Sequence, residues 1–132
     1  MHSLTVTNEQ YQKMIVHVDT QSPLEACGLL AGRDSIVEHV LEVTNQAQSQ
    51  VRYVMDPIEQ LNAFEWIDSH GLELLGIFHS HPTGPETVSP TDIAEAAYAV
   101  VYVILAHVEN RWSARGFWIE DGKFSEVTLQ IM

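Results

Sequence analysis

The feature that most constrains this chain is a pair of histidines at the end of an apolar run. Residues 74–78 read Leu-Leu-Gly-Ile-Phe, which is typical of a buried strand, and His79-Ser80-His81-Pro82 follows directly. Because side chains alternate between the faces of a strand, we expect the imidazoles of His79 and His81 on the same face. Pro82 has no amide hydrogen and is expected to end the strand.

A second motif, Ser89-Pro90-Thr91-Asp92, is typical of a helix N-terminus. Ser89 fits the N-cap and Pro90 fits the first helical position. The carboxylate of Asp92 is favourable near the positive end of the helix dipole. The alanine-rich residues 90–99 are therefore predicted to form a helix whose small side chains let it lie close to the sheet.

Together the two motifs suggest a metal site. If the first turn of the helix folds back over the strand end, the side chains of His79, His81 and Asp92 converge. Two neutral nitrogens and one carboxylate suit zinc, and they leave a fourth tetrahedral position for water, as in catalytic zinc sites. From the residues alone an ordinary interpretation stays open, in which the histidines belong to the core and the aspartate serves the helix terminus.

The spacing of the two motifs resembles a known signature. His-Ser-His at 79–81, the seven residues 82–88 and Ser-Pro-Thr-Asp at 89–92 are similar to the JAMM signature of the MPN-domain metalloproteases. That signature reads His-x-His, seven residues, Ser-x-x-Asp. The segment 22–32 also resembles the block in which this family places its catalytic glutamate. On these two blocks the chain is identified as a compact, prokaryotic-type member of the family.

The resemblance implies a fold and a set of roles. The implied fold is α/β (α+β), a single MPN-type domain over residues 1–132 with a mixed, curved β-sheet flanked by helices, similar to cytidine deaminase. Glu25 would be the general base and then the general acid, although its position alone also fits a solvated residue at a strand end. Ser89 would stabilise the oxyanion on the scissile carbonyl. One zinc ion per chain is implied, held by His79, His81 and Asp92.

The resemblance also implies a substrate class. Compact relatives process ubiquitin-like or sulfur-carrier proteins, so hydrolysis of a peptide or isopeptide bond after a Gly-Gly tail is expected. The identity of the substrate and the formation of a homodimer stay open.

Three other interpretations of the same residues stay open as well. The chain would be a non-catalytic MPN scaffold if its site were inaccessible. It would be a cupin barrel if Glu86 replaced Asp92 as a ligand and His107 were the fourth ligand. Cys27 would be a nucleophile if a histidine activated it, although free cysteine in an apolar run is usually a small core residue.

Charge and cysteine content exclude further functions. The formal net charge is −12, and six basic residues provide no electrostatic footprint for nucleic acid or anionic membranes. The sequence has neither an apolar run long enough to cross a membrane nor a signal-peptide pattern, so we expect a cytoplasmic protein. A single cysteine permits no internal disulfide and no cysteine-built metal site.

Hydrophobic periodicity predicts strands and helices in alternation, with a hairpin turn at Asp121-Gly122. Such an order favours a mixed sheet with helices packed against it. Strands are expected over 2–6, 25–31, 35–43, 51–55, 74–81, 100–105, 112–119 and 124–129, and helices over 8–19, 57–70 and 90–99.

Overall fold

The computed structural model describes residues 3–132, so the expected first strand is seen only from Ser3 onward. The strands are β1 (Ser3–Val6), β2 (Cys27–Arg33), β3 (Ile36–Val43), β4 (Glu73–His81), β5 (Val101–Val108), β6 (Arg111–Glu120) and β7 (Lys123–Ile131). The helices are α1 (Asn8–Gln21), α2 (Pro57–Ser69) and α3 (Pro90–Glu95). Among these residues, the helices are too short or too polar to cross a bilayer.

The strands form one mixed sheet in the order β1-β3-β2-β4-β5-β6-β7. Neighbours are antiparallel except for β4–β5 and the two pairs that involve β1, which are parallel. The sheet curves until β1 pairs with β7, with Ser3 opposite Thr128 and Val6 opposite Ile131, which closes it into a barrel. The predicted mixed, curved sheet flanked by helices is therefore present.

Alternation along β4 determines which side of the sheet carries the histidines. Phe78 packs into a buried cluster with Met14 of α1. Ile77 packs into a second cluster with Ile67 of α2, on the opposite face. Because His79 and His81 share the parity of Ile77, both imidazoles lie on the α2 side of the sheet.

The predicted helix 90–99 is too long, because α3 ends at Glu95. The phenolic oxygen of Tyr102 accepts hydrogen bonds from the amides of Ala97 (3.2 Å) and Tyr98 (3.1 Å). In a longer helix these two amides would donate to carbonyl groups of the preceding turn. A side chain from β5 therefore ends α3 at a point where the alanine-rich composition favours a longer helix.

The predicted strand 51–55 is also wrong. In the described part of the chain, this segment contributes only an isolated bridge between Asn45 and Met55. The amide oxygen of Asn45 accepts from the Val54 amide (3.0 Å), and its nitrogen donates to the Arg52 carbonyl (3.1 Å). A side chain therefore binds backbone groups that a neighbouring strand would otherwise pair.

Candidate metal centre

The structure brings together the three residues that the sequence predicts as metal ligands. The Nε2 atom of His79 lies 3.0 Å from Oδ1 of Asp92, and Nε2 of His81 lies 3.1 Å from Oδ2. The two Nε2 atoms are 3.2 Å apart. One potential ligand atom from each residue therefore lies within 4.8 Å of the others, as binding of a single ion requires.

The start of α3 places Asp92 over the strand end. Ser89 is the N-cap, and its Oγ accepts from the Asp92 amide at 3.0 Å. In return, Oδ2 of Asp92 accepts from the Ser89 amide at 2.8 Å. This reciprocal capping box confirms the predicted cap, and it also orients the carboxylate toward the histidines.

The two histidines are supported differently. Nδ1 of His81 donates to the Pro85 carbonyl at 2.8 Å, so in the neutral ring Nε2 carries the lone pair that a metal would need. Nδ1 of His79 is buried and finds no hydrogen-bond partner among residues 3–132. Its ring instead stacks on Tyr53, with centroids 4.6 Å apart and planes 29° apart.

The charges of the cluster suit a cation. Burial lowers the pKa of His79, which favours the neutral ring that binds metals. Burial opposes ionisation of Asp92, but hydrogen bonds from both histidines hold its pKa well below its usual range. Burial also acts against the charged form of His81, yet its hydrogen bonds to Asp92 and the Pro85 carbonyl raise its pKa. Imidazole nitrogens facing an ionised carboxylate are the donor set that zinc accepts.

Glu25 lies in the loop just before β2, close enough to His81 and Asp92 for their charges to act on its carboxyl. It is only 4% exposed, and within the described residues its Oε1 has no hydrogen-bond partner. Burial raises its pKa to about 7, with the nearby His81 lowering it and Asp92 raising it further. A carboxyl with that pKa can both accept and release a proton near neutral pH.

Comparison with known proteins identifies the family. Residues 7–118 match the family described as prokaryotic homologs of the JAB domain. The chain belongs to this family.

Named relatives agree with that membership. A probable TtuB-protein conjugate cleaving protease from Thermus thermophilus is 38% identical over 88% of this chain and 74% of its own length. A desampylase from Pyrococcus furiosus is 32% identical over 98% of this chain and 91% of its own. The expected enzyme class, a JAMM-type peptidase, is thereby confirmed.

A solved structure supports the fold. The crystal structure of a JAB1/MPN domain protein from Archaeoglobus fulgidus has a TM-score of 0.64 and 18% identity, with full coverage of both chains. The predicted MPN-type fold is therefore confirmed.

The cupin interpretation is wrong. It is Asp92 that joins the histidines, whereas Glu86 is exposed and its backbone carbonyl accepts from Nη1 of Arg115 at 3.0 Å. His107 lies on β5 against Trp112, with ring centroids 5.0 Å apart. Neither Glu86 nor His107 belongs to the group that can hold a metal.

Cys27 as a nucleophile is also wrong. Its thiol is fully buried and donates to the Val43 carbonyl, with sulfur and oxygen 3.4 Å apart. Burial raises its pKa to about 12, so it stays protonated and unreactive near neutral pH.

Ser80 helps to organise the site, and the sequence analysis did not single it out. Ser80, between the two histidines, faces the opposite side of β4 and is fully buried. Its Oγ accepts from the Ala26 amide (2.8 Å), and its own amide donates to the Ala26 carbonyl (3.0 Å). The strand that carries the two histidines is thereby joined to the residue after Glu25. A polar residue inside a predicted buried strand is the sign that would have drawn attention to it.

Proposed function

We propose that this protein is a zinc-dependent peptidase or isopeptidase that hydrolyses the bond after the Gly-Gly tail of a ubiquitin-like or sulfur-carrier protein. The observation that carries the proposal is the convergence of His79, His81 and Asp92 near the buried carboxyl of Glu25, whose Oε1 has no hydrogen-bond partner among residues 3–132. The relatives named as a desampylase and as a conjugate-cleaving protease support the substrate class.

In this proposal His79, His81 and Asp92 hold the zinc ion through two nitrogens and one carboxylate oxygen. Bound zinc supplies Lewis acidity, which polarises the scissile carbonyl and lowers the pKa of water. The donor atoms fit that role because they converge, are largely buried and include one ionised carboxylate.

Proton transfer is assigned to Glu25. Its carboxylate accepts a proton from the attacking water and passes it to the nitrogen of the leaving amine as the C–N bond breaks. Because Oε1 has no partner within the part of the chain that the structure describes, rotation or protonation of the carboxyl breaks no hydrogen bond at that oxygen. Because the pKa of Glu25 is about 7 in the metal-free protein, its carboxyl can be either protonated or ionised near neutral pH.

Oxyanion stabilisation is assigned to Ser89. Its Oγ accepts a hydrogen bond from the Asp92 amide, so the hydroxyl hydrogen remains available to a further acceptor. That acceptor would be the oxygen of the scissile carbonyl as negative charge develops on it.

We therefore expect Ser89→Ala to lower kcat by about a hundredfold, the usual effect of removing one oxyanion donor. The same change removes a helix cap worth about 1 kcal/mol, so the melting temperature should fall slightly. Zinc content, measured by metal analysis, should stay unchanged. If kcat stays within about twofold of wild type, Ser89 serves only as a cap.

Access to the metal centre favours a substrate without side chains. His79 is 1% exposed and His81 is 4% exposed, so a scissile bond must enter a narrow approach to reach their Nε2 atoms. Glycine residues on the acyl side of the bond reduce the steric demand, and an extended Gly-Gly tail meets that condition. Extended peptides also bind commonly through backbone pairing, which needs no particular side chain.

Replacing the penultimate glycine of such a tail by a bulky residue should lower kcat/KM at least about tenfold, equivalent to ~1.4 kcal/mol. The measurement compares zinc-loaded protein on β-grasp carrier fusions with wild-type and substituted tails. Unrelated unfolded peptides serve as the control substrate. Cleavage of those peptides but of no carrier would replace the proposed isopeptidase by a general peptidase.

A further inference from the structure

Asn45, two residues after the end of β3, makes four hydrogen bonds through its side-chain amide. Nδ2 donates to the carbonyl oxygens of Glu25 (2.9 Å) and Arg52 (3.1 Å). Oδ1 accepts from the amides of Ala47 and Val54, each at 3.0 Å. The three segments thus joined carry the proposed proton-transfer residue, the turn after β3 and the residues on both sides of Tyr53.

The bond to Glu25 matters because it holds the backbone carbonyl of that residue, whereas the Ser80–Ala26 bonds hold only the residue that follows it. Glu25 lies outside β2, so the hydrogen bonds of the sheet do not fix it. Its backbone amide donates to the Ser49 carbonyl at 2.8 Å, and its own carbonyl accepts from Asn45. Its Oε1 has no partner in the described region, so the position of the carboxyl depends largely on the backbone that carries it.

The bonds to Arg52 and Val54 matter because these two residues lie on either side of Tyr53 in the chain, so the bonds hold the backbone that carries its ring. In the described chain, residues 51–55 form no strand and make only an isolated bridge, between Met55 and Asn45. The side chain of Asn45 therefore supplies much of their backbone hydrogen bonding, at the Arg52 carbonyl and the Val54 amide. The Tyr53 ring stacks on His79 at 4.6 Å. Metal-binding histidines usually donate their second nitrogen to a fixed acceptor, whereas His79 has the stacked ring beside it.

We propose that Asn45 is a positioning residue that holds Glu25 at a fixed position relative to the stacked rings of Tyr53 and His79. This inference rests on the proposed function, because Glu25 must stand at a defined place relative to the metal ligands. Asn45 contacts neither the ligands nor the reacting atoms, and it acts through the two backbone segments that it joins. Supporting residues of this kind typically contribute ten- to hundredfold to metal affinity or rate, as an order of magnitude.

The first test compares Asn45→Asp with Asn62→Asp. Aspartate keeps the shape and the two accepted hydrogen bonds of Asn45 but removes the two donated ones. Asn62 is exposed on α2, so it undergoes the same change of amide to carboxylate away from the site. Asn45→Asp should lower kcat at least about tenfold with KM within about twofold, whereas Asn62→Asp should match wild type. Equal kcat in the two variants would overturn the proposal.

A double-mutant cycle separates positioning from general destabilisation. If Asn45 acts through Glu25, Asn45→Asp should change the residual rate of Glu25→Gln by less than about twofold, because the group being positioned is already inactive. With every variant saturated with zinc, an equal fold loss in both backgrounds would mean that Asn45 does not act through Glu25. That outcome would also overturn the proposal.

Zinc affinity provides a measurement that does not depend on activity. Asn45→Ala removes all four hydrogen bonds and should raise the zinc Kd about tenfold, measured by competition with a chelating dye. A Kd unchanged from that of Asn62→Asp would contradict the link to the Tyr53–His79 stack. If wild-type protein binds zinc but cleaves no carrier, the proposed function fails, and the Kd of Asn45→Ala still decides whether Asn45 supports the metal ligands.

Discussion

Asp92→Ala is expected to remove zinc from a protein that otherwise carries about one ion per chain, the content of a three-ligand site. Asp92 is the proposed ligand that is ionised, and its loss removes the carboxylate that lies 3.0 Å from Nε2 of His79 and 3.1 Å from Nε2 of His81. Activity should fall at least about a thousandfold, because metal Lewis acidity is worth several kcal/mol in the transition state. Metal analysis after gel filtration, together with carrier cleavage, measures both effects.

Three further variants show whether the loss is specific. His81→Ala should behave like Asp92→Ala, since it removes another of the three proposed ligands. Asp92→Asn keeps the size of the side chain and an oxygen for the capping box, so any loss of zinc there reflects charge and not unfolding. Glu86→Ala alters an exposed residue and should keep both zinc and activity. If Glu86→Ala lost the metal while Asp92→Ala kept it, the assigned ligand set would be wrong.

Glu25→Gln is expected to keep zinc and to lose at least about a hundredfold in kcat. Glutamine matches the size of glutamate but cannot accept and return a proton. Glu25 is buried beside the cluster, and it is not among the three residues that can hold a metal, so metal content should not change. Near-normal turnover in this variant would remove Glu25 from the mechanism.

Cys27→Ser is the matched control for Glu25→Gln. Cys27 lies two residues along the chain and is equally buried, but its pKa of about 12 keeps the thiol protonated. Serine can donate to the same Val43 carbonyl, so most activity should remain. If wild-type protein with bound zinc cleaved no carrier and no peptide, the non-catalytic scaffold would replace the peptidase as the best account of the chain.

Local patterns predicted most of the elements because their causes are local. Strand alternation places His79 and His81 on one face, and the Ser89 cap with Pro90 starts α3 where the sequence indicates. The errors have distant causes. Tyr102 ends α3 early, and Asn45 takes backbone groups that segment 51–55 would otherwise pair in a sheet. Neither residue belongs to the segment whose structure it alters, so periodicity within that segment does not show the effect.

The types of the candidate ligands, their shared face and their spacing follow from local sequence, because strand parity and helix capping are set by neighbouring residues. Which groups meet across the site depends on how distant segments pack. The Ser80–Ala26 bonds, the stacking of Tyr53 on His79 and the pairing of β1 with β7 join residues far apart in the chain. Such contacts depend on the closure of the whole sheet, and they leave no pattern in any one stretch of sequence.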